Sequence, residues 1–187
     1  MNLVAGERSS NKVISTEDMK EFLKIESTIT LEDDLIDSLV KSAVRTIERE
    51  ARIALLTQTW TYYLDRILNK IELPRPPLQS LTSFYYYNDS YTEYEVDSDL
   101  YQVVAELQDQ PGFILKNTNS VWPVYTSNGN GIKIIYLAGF GDDASDIPDD
   151  LILAVKSLAC HYFENRESSE EIPTGIKDII DSRKIYY

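Results

Sequence analysis

One stretch, residues 31 to 64, constrains the fold most, because its apolar period changes from helical to extended within a few residues. Leu31, Leu35, Ile36, Leu39, Val40, Ala43, Val44, Ile47 and Ala51 recur at the 3.6-residue spacing of an amphipathic helix. From there the chain turns to Thr57-Gln58-Thr59-Trp60-Thr61-Tyr62-Tyr63-Leu64, rich in β-branched and aromatic residues and free of any helical stripe. A helix that hands directly over to a strand rules out an all-helical or an all-β chain.

The same reading extends in both directions. Ser15-Thr16-Glu17-Asp18 is a capping box that opens a short helix ending near Lys24, and Thr30-Leu31-Glu32-Asp33 is a second box before the long helix. Acids crowd the first turns of the long helix (Glu32, Asp33, Asp34, Asp37) and bases follow (Lys41, Arg45, Arg49, Arg52), an order that suits the helix dipole. Pro74-Arg75-Pro76-Pro77 limits Ile71-Glu72-Leu73 to a short edge segment. Residues 80 to 87 and 91 to 96 form a hairpin around Asn88-Asp89-Ser90, and further strands are expected at 101 to 104, 113 to 116 and 132 to 137. Pro148 fits the first position of an apolar helix through Leu151, Leu158 and Phe163, with Asp149 and Asp150 in its first turn. A short amphipathic helix follows Pro173.

The expected class is α+β: a small helical bundle of two N-terminal helices plus a C-terminal helix, with an inserted antiparallel β module. The expected boundaries are a flexible N-terminus at 1–12, the N-terminal helices at 13–55, the β module at 56–140, the closing helix at 147–167, and a linker with a docking tail at 168–187.

Charge and composition exclude several functions. Thirty-one Asp and Glu against 18 Lys and Arg give a net charge of -13, which opposes gripping a phosphate backbone. No stretch approaches the roughly 20 apolar residues of a membrane span, so a soluble protein made in a reducing cytoplasm is expected. Cys160 is the one cysteine and His161 the one histidine. As helix neighbours they diverge by about 100 degrees, a poor dyad. Gly139-Phe140-Gly141 lacks the phosphate-cradling pattern, no Gly-x-Ser-x-Gly elbow occurs, and Asp142-Asp143-Ala144-Ser145-Asp146 lacks the central glycine and final glutamate of a calcium loop. The expectation is no enzyme: no catalytic residue, no metal ligand and no cofactor. Thirteen tyrosines suggest either an assembly surface or strand packing.

The order of these motifs resembles the head-tail connector family of tailed bacteriophages, the head-completion adaptors, in a longer variant with a β insertion. The likeness rests on the short helix before Glu32-Asp33-Asp34-Leu35-Ile36, on Thr57 to Asp65, and on the proline-rich turn within residues 71 to 80. It continues through Tyr136-Leu137-Ala138-Gly139-Phe140-Gly141, Ile147-Pro148, His161 to Glu167 and Ile172-Pro173-Thr174-Gly175-Ile176. The chain end, Lys184-Ile185-Tyr186-Tyr187, is more apolar than the family pattern.

The resemblance implies a virion structural protein made in the host bacterial cytoplasm. Its place would be a homo-oligomeric ring, a dodecamer, at the head-tail interface beneath the portal protein. A downstream neck or tail-completion protein would attach below, and DNA would pass through the channel without sequence-specific binding. No membrane is involved. The C-terminal segment would dock on the portal through Ile172, Ile176, Ile179, Ile180, Ile185, Tyr186 and Tyr187, so deleting 172–187 is expected to leave a folded subunit that no longer attaches. The alternative reading is an acidic interaction module such as a DNA-mimicking inhibitor.

Overall fold

The computed structural model describes residues 2–105, 110–126, 129–165 and 171–184. It is α+β, as the periodicities require, and the chain divides into two compact units. One comprises residues 1–9 and 57–140, the other 10–56 and 141–187.

The β unit begins where a flexible terminus was expected. Residues Asn2–Arg8 form a strand, β1, antiparallel to β2 (Gln58–Leu64) with Val4 opposite Thr61. Its burial follows no alternation, because an edge strand is held by backbone hydrogen bonds from one side rather than by an apolar face. The remaining strands are β3 (Lys70–Glu72), β4 (Leu78–Tyr87), β5 (Glu93–Glu95), β6 (Tyr101–Val104), β7 (Phe113–Lys116) and β8 (Ile132–Ala138). They form a five-stranded sheet, β1-β2-β8-β4-β5, and a three-stranded sheet, β3-β7-β6, antiparallel throughout. The hairpin turn between β4 and β5 is held by Asn88, whose Oδ1 accepts from the Ser90 and Thr92 N–H groups at 3.0 and 2.9 Å.

β8 sits at the centre and alternates strictly: Ile132, Ile134, Tyr136 and Ala138 are buried, Lys133, Ile135 and Leu137 half-buried. The buried set shares one core with Trp60, Tyr62, Leu64, Leu78 and Phe84 of its own sheet, with Val96 just after β5, and with Ile71 and Ile114 of the other sheet and Leu73 just after β3. Phe84 makes edge-on ring contacts with Tyr101 and Trp122 at 5.3 and 5.8 Å. The Tyr136 hydroxyl, fully buried, donates to the Pro74 carbonyl at 2.7 Å, so the proline-rich turn is fastened to the central strand.

The helical unit contains α1 (Thr16–Leu23), α2 (Asp33–Ala51), α3 (Asp149–Glu164) and α4 (Thr174–Arg183). Ser15 caps α1 as expected, its Oγ accepting from the Asp18 N–H at 3.0 Å, and Lys24 closes α1 in the left-handed conformation. The second box does not form. α2 starts after Glu32, which makes no side-chain cap bond, while the Thr30 carbonyl closes a turn with the Asp33 N–H. Leu31 therefore lies outside the helix and is 96% exposed, so it is not part of the core stripe. Pro148 occupies the cap position, with extended ψ, rather than the first helical position.

Ile36, Val40, Ala43, Val44, Ile47 and Ala51 of α2 are buried, as are Leu151, Ala154, Val155, Leu158 and Ala159 of α3, and these two helices make the main helical contact. α4 packs on both. It buries Ile176 and Ile180, and Arg183 forms a bidentate pair with Asp150 at 3.1 to 3.2 Å. The segment expected to be a detached docking tail is, over Thr174–Arg183, a fourth helix of the bundle. The physical reason is that an Ile stripe one turn apart gains about 1.5–3 kcal/mol per side chain by burial, and α2 and α3 supply an apolar surface within the same unit.

Candidate functional site

The acidic loop after Gly141 is a structural device. Asp146 Oδ2 accepts from the Asp143 N–H at 3.0 Å, and Asn11 Nδ2 donates to the Asp142 carbonyl and to Asp143 Oδ1 at 3.1 and 2.7 Å. Both carboxylates are thus engaged in closing a turn and fixing residue 11. Among the described residues no group of three or more His, Cys, Asp or Glu side chains is arranged to hold a metal ion.

The Cys160 and His161 side chains also have local partners. Cys160 Sγ donates to Glu164 Oε1 at 3.7 Å, and burial followed by the Glu164 charge raises the thiol above its ordinary range. A raised thiol is a poor nucleophile. His161 Nδ1 lies 3.1 Å from Asn165 Nδ2, which also donates to the His161 carbonyl at 3.0 Å. This is a helix C-terminal arrangement.

The tyrosines divide between the two readings, and most go to strand packing. Tyr62 and Tyr136 are core residues. Tyr86 stacks on Tyr94 at 5.6 Å across the β4–β5 pair, and Tyr85 underlies the Lys133 ammonium at 5.1 Å. Glu93 accepts from the Tyr87 hydroxyl and pairs with Lys133 at 2.9 Å, contacts that hold its carboxyl below the usual range. Tyr87 is raised by burial first and by Glu93 second. Tyr91 and Tyr94 remain substantially exposed.

Several apolar side chains of the described residues are exposed. Among the sequence-expected contact residues, Ile176 and Ile180 are buried within the helical unit, Ile172 and Ile179 are half-buried, and Ile185, Tyr186 and Tyr187 lie outside the described residues. The four that are described do not form one exposed patch. In the β unit, Val121 and Val124 are 80% and 90% exposed. Their neighbours hold them in place: Trp122 packs against Phe84, and Tyr125 Oη accepts from the Ile67 N–H at 3.1 Å. Leu68, beside Ile67, is exposed too. These loop residues escaped sequence reasoning, although the alternation in Val121-Trp122-Pro123-Val124-Tyr125 carried a signal, since aromatic anchors between small apolar residues mark an ordered loop. In the helical unit Phe22, Ile29, Leu31 and Leu35 are exposed. Scattered apolar exposure is ordinary; rigidly anchored loop valines are less so.

No described helix is long and apolar enough to cross a membrane. No protein-family model and no curated protein matches the sequence. The fold, by contrast, has solved relatives along its whole length. The chain is similar to one in the neck of an empty gene transfer agent particle computed with C6 symmetry, at a TM-score of 0.83 and 22% identity, covering 100% of this chain and 97% of that one. It is similar to one in the virion of a native gene transfer agent particle at a TM-score of 0.82 and 22% identity, with the same coverage. A chain of the native particle's neck, computed with C12 symmetry, matches at 0.75 and 21% identity, again over 100% and 97%. The chain thus has the fold of a component of phage-like particle necks.

Proposed function

We propose that this protein is a structural head-tail connector subunit of a tailed phage or phage-like particle. It works as one copy in a ring beneath the portal, to which neck or tail-completion proteins attach and through which DNA passes without sequence-specific binding. The observation that carries the reading is the end-to-end correspondence of both units with chains of particle necks. A shared fold alone is compatible with many functions. Here it joins a surface with anchored, exposed loop valines, carboxylates engaged in capping and pairing, and a thiol raised rather than activated.

In this reading the portal contact at the C-terminal end falls to Ile172, Ile179 and the residues after Lys184, because Ile176 and Ile180 are engaged in the bundle. The net charge of -13 suits a conduit, since it weakens retention of passing phosphates. The test is reconstitution: purified chain mixed with a portal protein from the same genome, followed by native mass spectrometry and electron microscopy. A stoichiometric ring on the portal is expected. Failure of the wild-type chain to join portal, or turnover of a substrate lost with His161→Ala, would overturn the proposal.

A further inference from the structure

In this acidic chain, three bases stand in a row on one helix and a fourth caps its end. Lys41, Arg45, Arg49 and Arg52 are all exposed. The four-residue spacing of Lys41, Arg45 and Arg49 puts them on one side of α2, with the buried stripe from Ile36 to Ala51 on the other, and Arg52 follows as the left-handed cap of the helix. Dipole compensation accounts for Arg49 and Arg52 at the helix end. It does not account for Lys41 and Arg45, because the effect fades within the last turn. Local pairing engages Lys41 with Asp37 at 2.7 Å and Arg49 with Glu50 at 3.0 Å, but these cations are still 65% and 69% exposed. Among the described residues Arg45 has no carboxylate partner.

The complementary surface is on the same unit. Glu17, Asp18 and Glu21 of α1 are exposed, turned away from the buried Met19 and Lys20. Glu17 and Glu21 are one turn apart. One subunit therefore displays a basic stripe on one helix and an acidic stripe on another, and neither faces the bundle core. A head-to-tail ring needs two different, complementary surfaces on each copy, and a basic and an acidic stripe on separate helices supply such a pair.

Resting on the connector reading above, we propose that the basic stripe of α2 receives the acidic face of α1 from a second copy of this chain, a contact that repeats around the ring. A nucleic-acid partner fits less well. Asp37 and Glu50 sit within ion-pair distance of the stripe, and a net charge of -13 repels a phosphate backbone at long range. Such a contact steers and sets register more than it adds affinity, and it weakens as salt shortens the Debye length.

The test uses the full chain in two charge-reversed forms, R45E/R49E and E17K/E21K, with sedimentation velocity at low ionic strength. The wild type is expected to self-associate, and each variant alone to lose about tenfold or more in association constant. An equimolar mixture should recover association, because alternating copies place unlike charges at every contact. A wild type that stays monomeric, a variant that associates normally, or a mixture no better than its components would each overturn the contact. An independent arm cross-links isotopically mixed wild-type chains with a zero-length carbodiimide. Links from Lys41 of one copy to Glu17, Asp18 or Glu21 of another are expected, and their absence counts against the proposal whatever the variants do. If R45E/R49E instead loses binding to duplex DNA while self-association is unchanged, the stripe is a phosphate site and the proposal fails. Rings that form on portal equally well from R45E/R49E subunits overturn this contact alone; wild-type subunits that form none overturn the connector reading with it.

Discussion

Shortening Ile180 to alanine distinguishes a bundle helix from a detachable tail. Ile180 is 2% exposed and Ile176 7%, both on the face of α4 that the unit buries. Removing a fully buried isoleucine side chain to Cβ costs about 2–5 kcal/mol, the spread depending on how far the site collapses. Because α4 is a short terminal helix, its undocking limits the loss, so a value near the lower end, about 2–3 kcal/mol, is expected for Ile180→Ala. With a urea dependence of about 2–3 kcal/mol per molar, the unfolding midpoint should fall by roughly 1 M. Circular dichroism of the urea transition gives the midpoint, and amide hydrogen exchange should show protection lost along residues 174–183. Ile176→Ala added to Ile180→Ala should cost no more than deleting residues 174–187 altogether, since a detached helix has nothing left to lose. If Ile180→Ala and the deletion both move stability by less than about 0.5 kcal/mol, the level of an ordinary surface change, α4 does not hold the bundle together and the reasoning is refuted.

Three further outcomes follow from single contacts. Tyr136→Phe removes the donor to the Pro74 carbonyl and should cost about 1–2 kcal/mol in the same urea assay, because the carbonyl loses its partner in a buried setting. Gly112→Ala would bring a Cβ within 2.3 Å of Leu78 Cδ2 and 2.5 Å of its Cβ; destabilisation of about 1–3 kcal/mol by overpacking is expected, and a neutral result would mean β4 can shift there. Lys12 and Lys41 hold Asp37 below its ordinary value of 3.8, Lys12 first. A carboxyl depressed in the folded state stabilises above its unfolded pKa and loses that contribution as pH falls through its folded one, so the stability gap between wild type and Asp37→Asn should be full above about pH 5 and close in more acid solution. A gap that widens on acidification would contradict the sign.

The elements with a strong period were visible before the fold was. The α2 stripe from Ile36 to Ala51 marks which side of the helix is buried, Ser15 marks where α1 starts, and residue content marks β2 and β8 as strands, although Ile135 and Leu137 are as apolar as their buried neighbours and hide which side of β8 faces the core. The α4 stripe was equally plain, yet a stripe declares only that Ile176 and Ile180 want cover, not whether the cover is the same subunit or another. β1 carried no such signal: its side chains are mostly exposed, and what holds it is the backbone of β2, which a residue pattern does not display. At Thr30 the carbonyl closes a turn with the Asp33 N–H and the helix is capped two residues later at Glu32, a difference that a capping motif alone does not reveal. The candidate surface was the least legible part. Lys41, Arg45, Arg49 and Arg52 were visible as a charge order, but the dipole accounts for that order equally well until exposure and position along the helix separate its members.

β1 also sets a schedule for synthesis. The strand at residues 2–8 emerges first, but its partner at 58–64 comes only after both N-terminal helices, and the sheet's central strand arrives at 132–138. At about 5–20 residues per second, the ribosome needs roughly 7 to 28 s to deliver everything the five-stranded sheet requires. Until residues 58–64 follow, residues 2–8 lack the strand they pair with, and until 132–138 follow, that pair lacks the sheet it borders, so a sticky tag fused beside residues 2–8 would compete for an open strand edge.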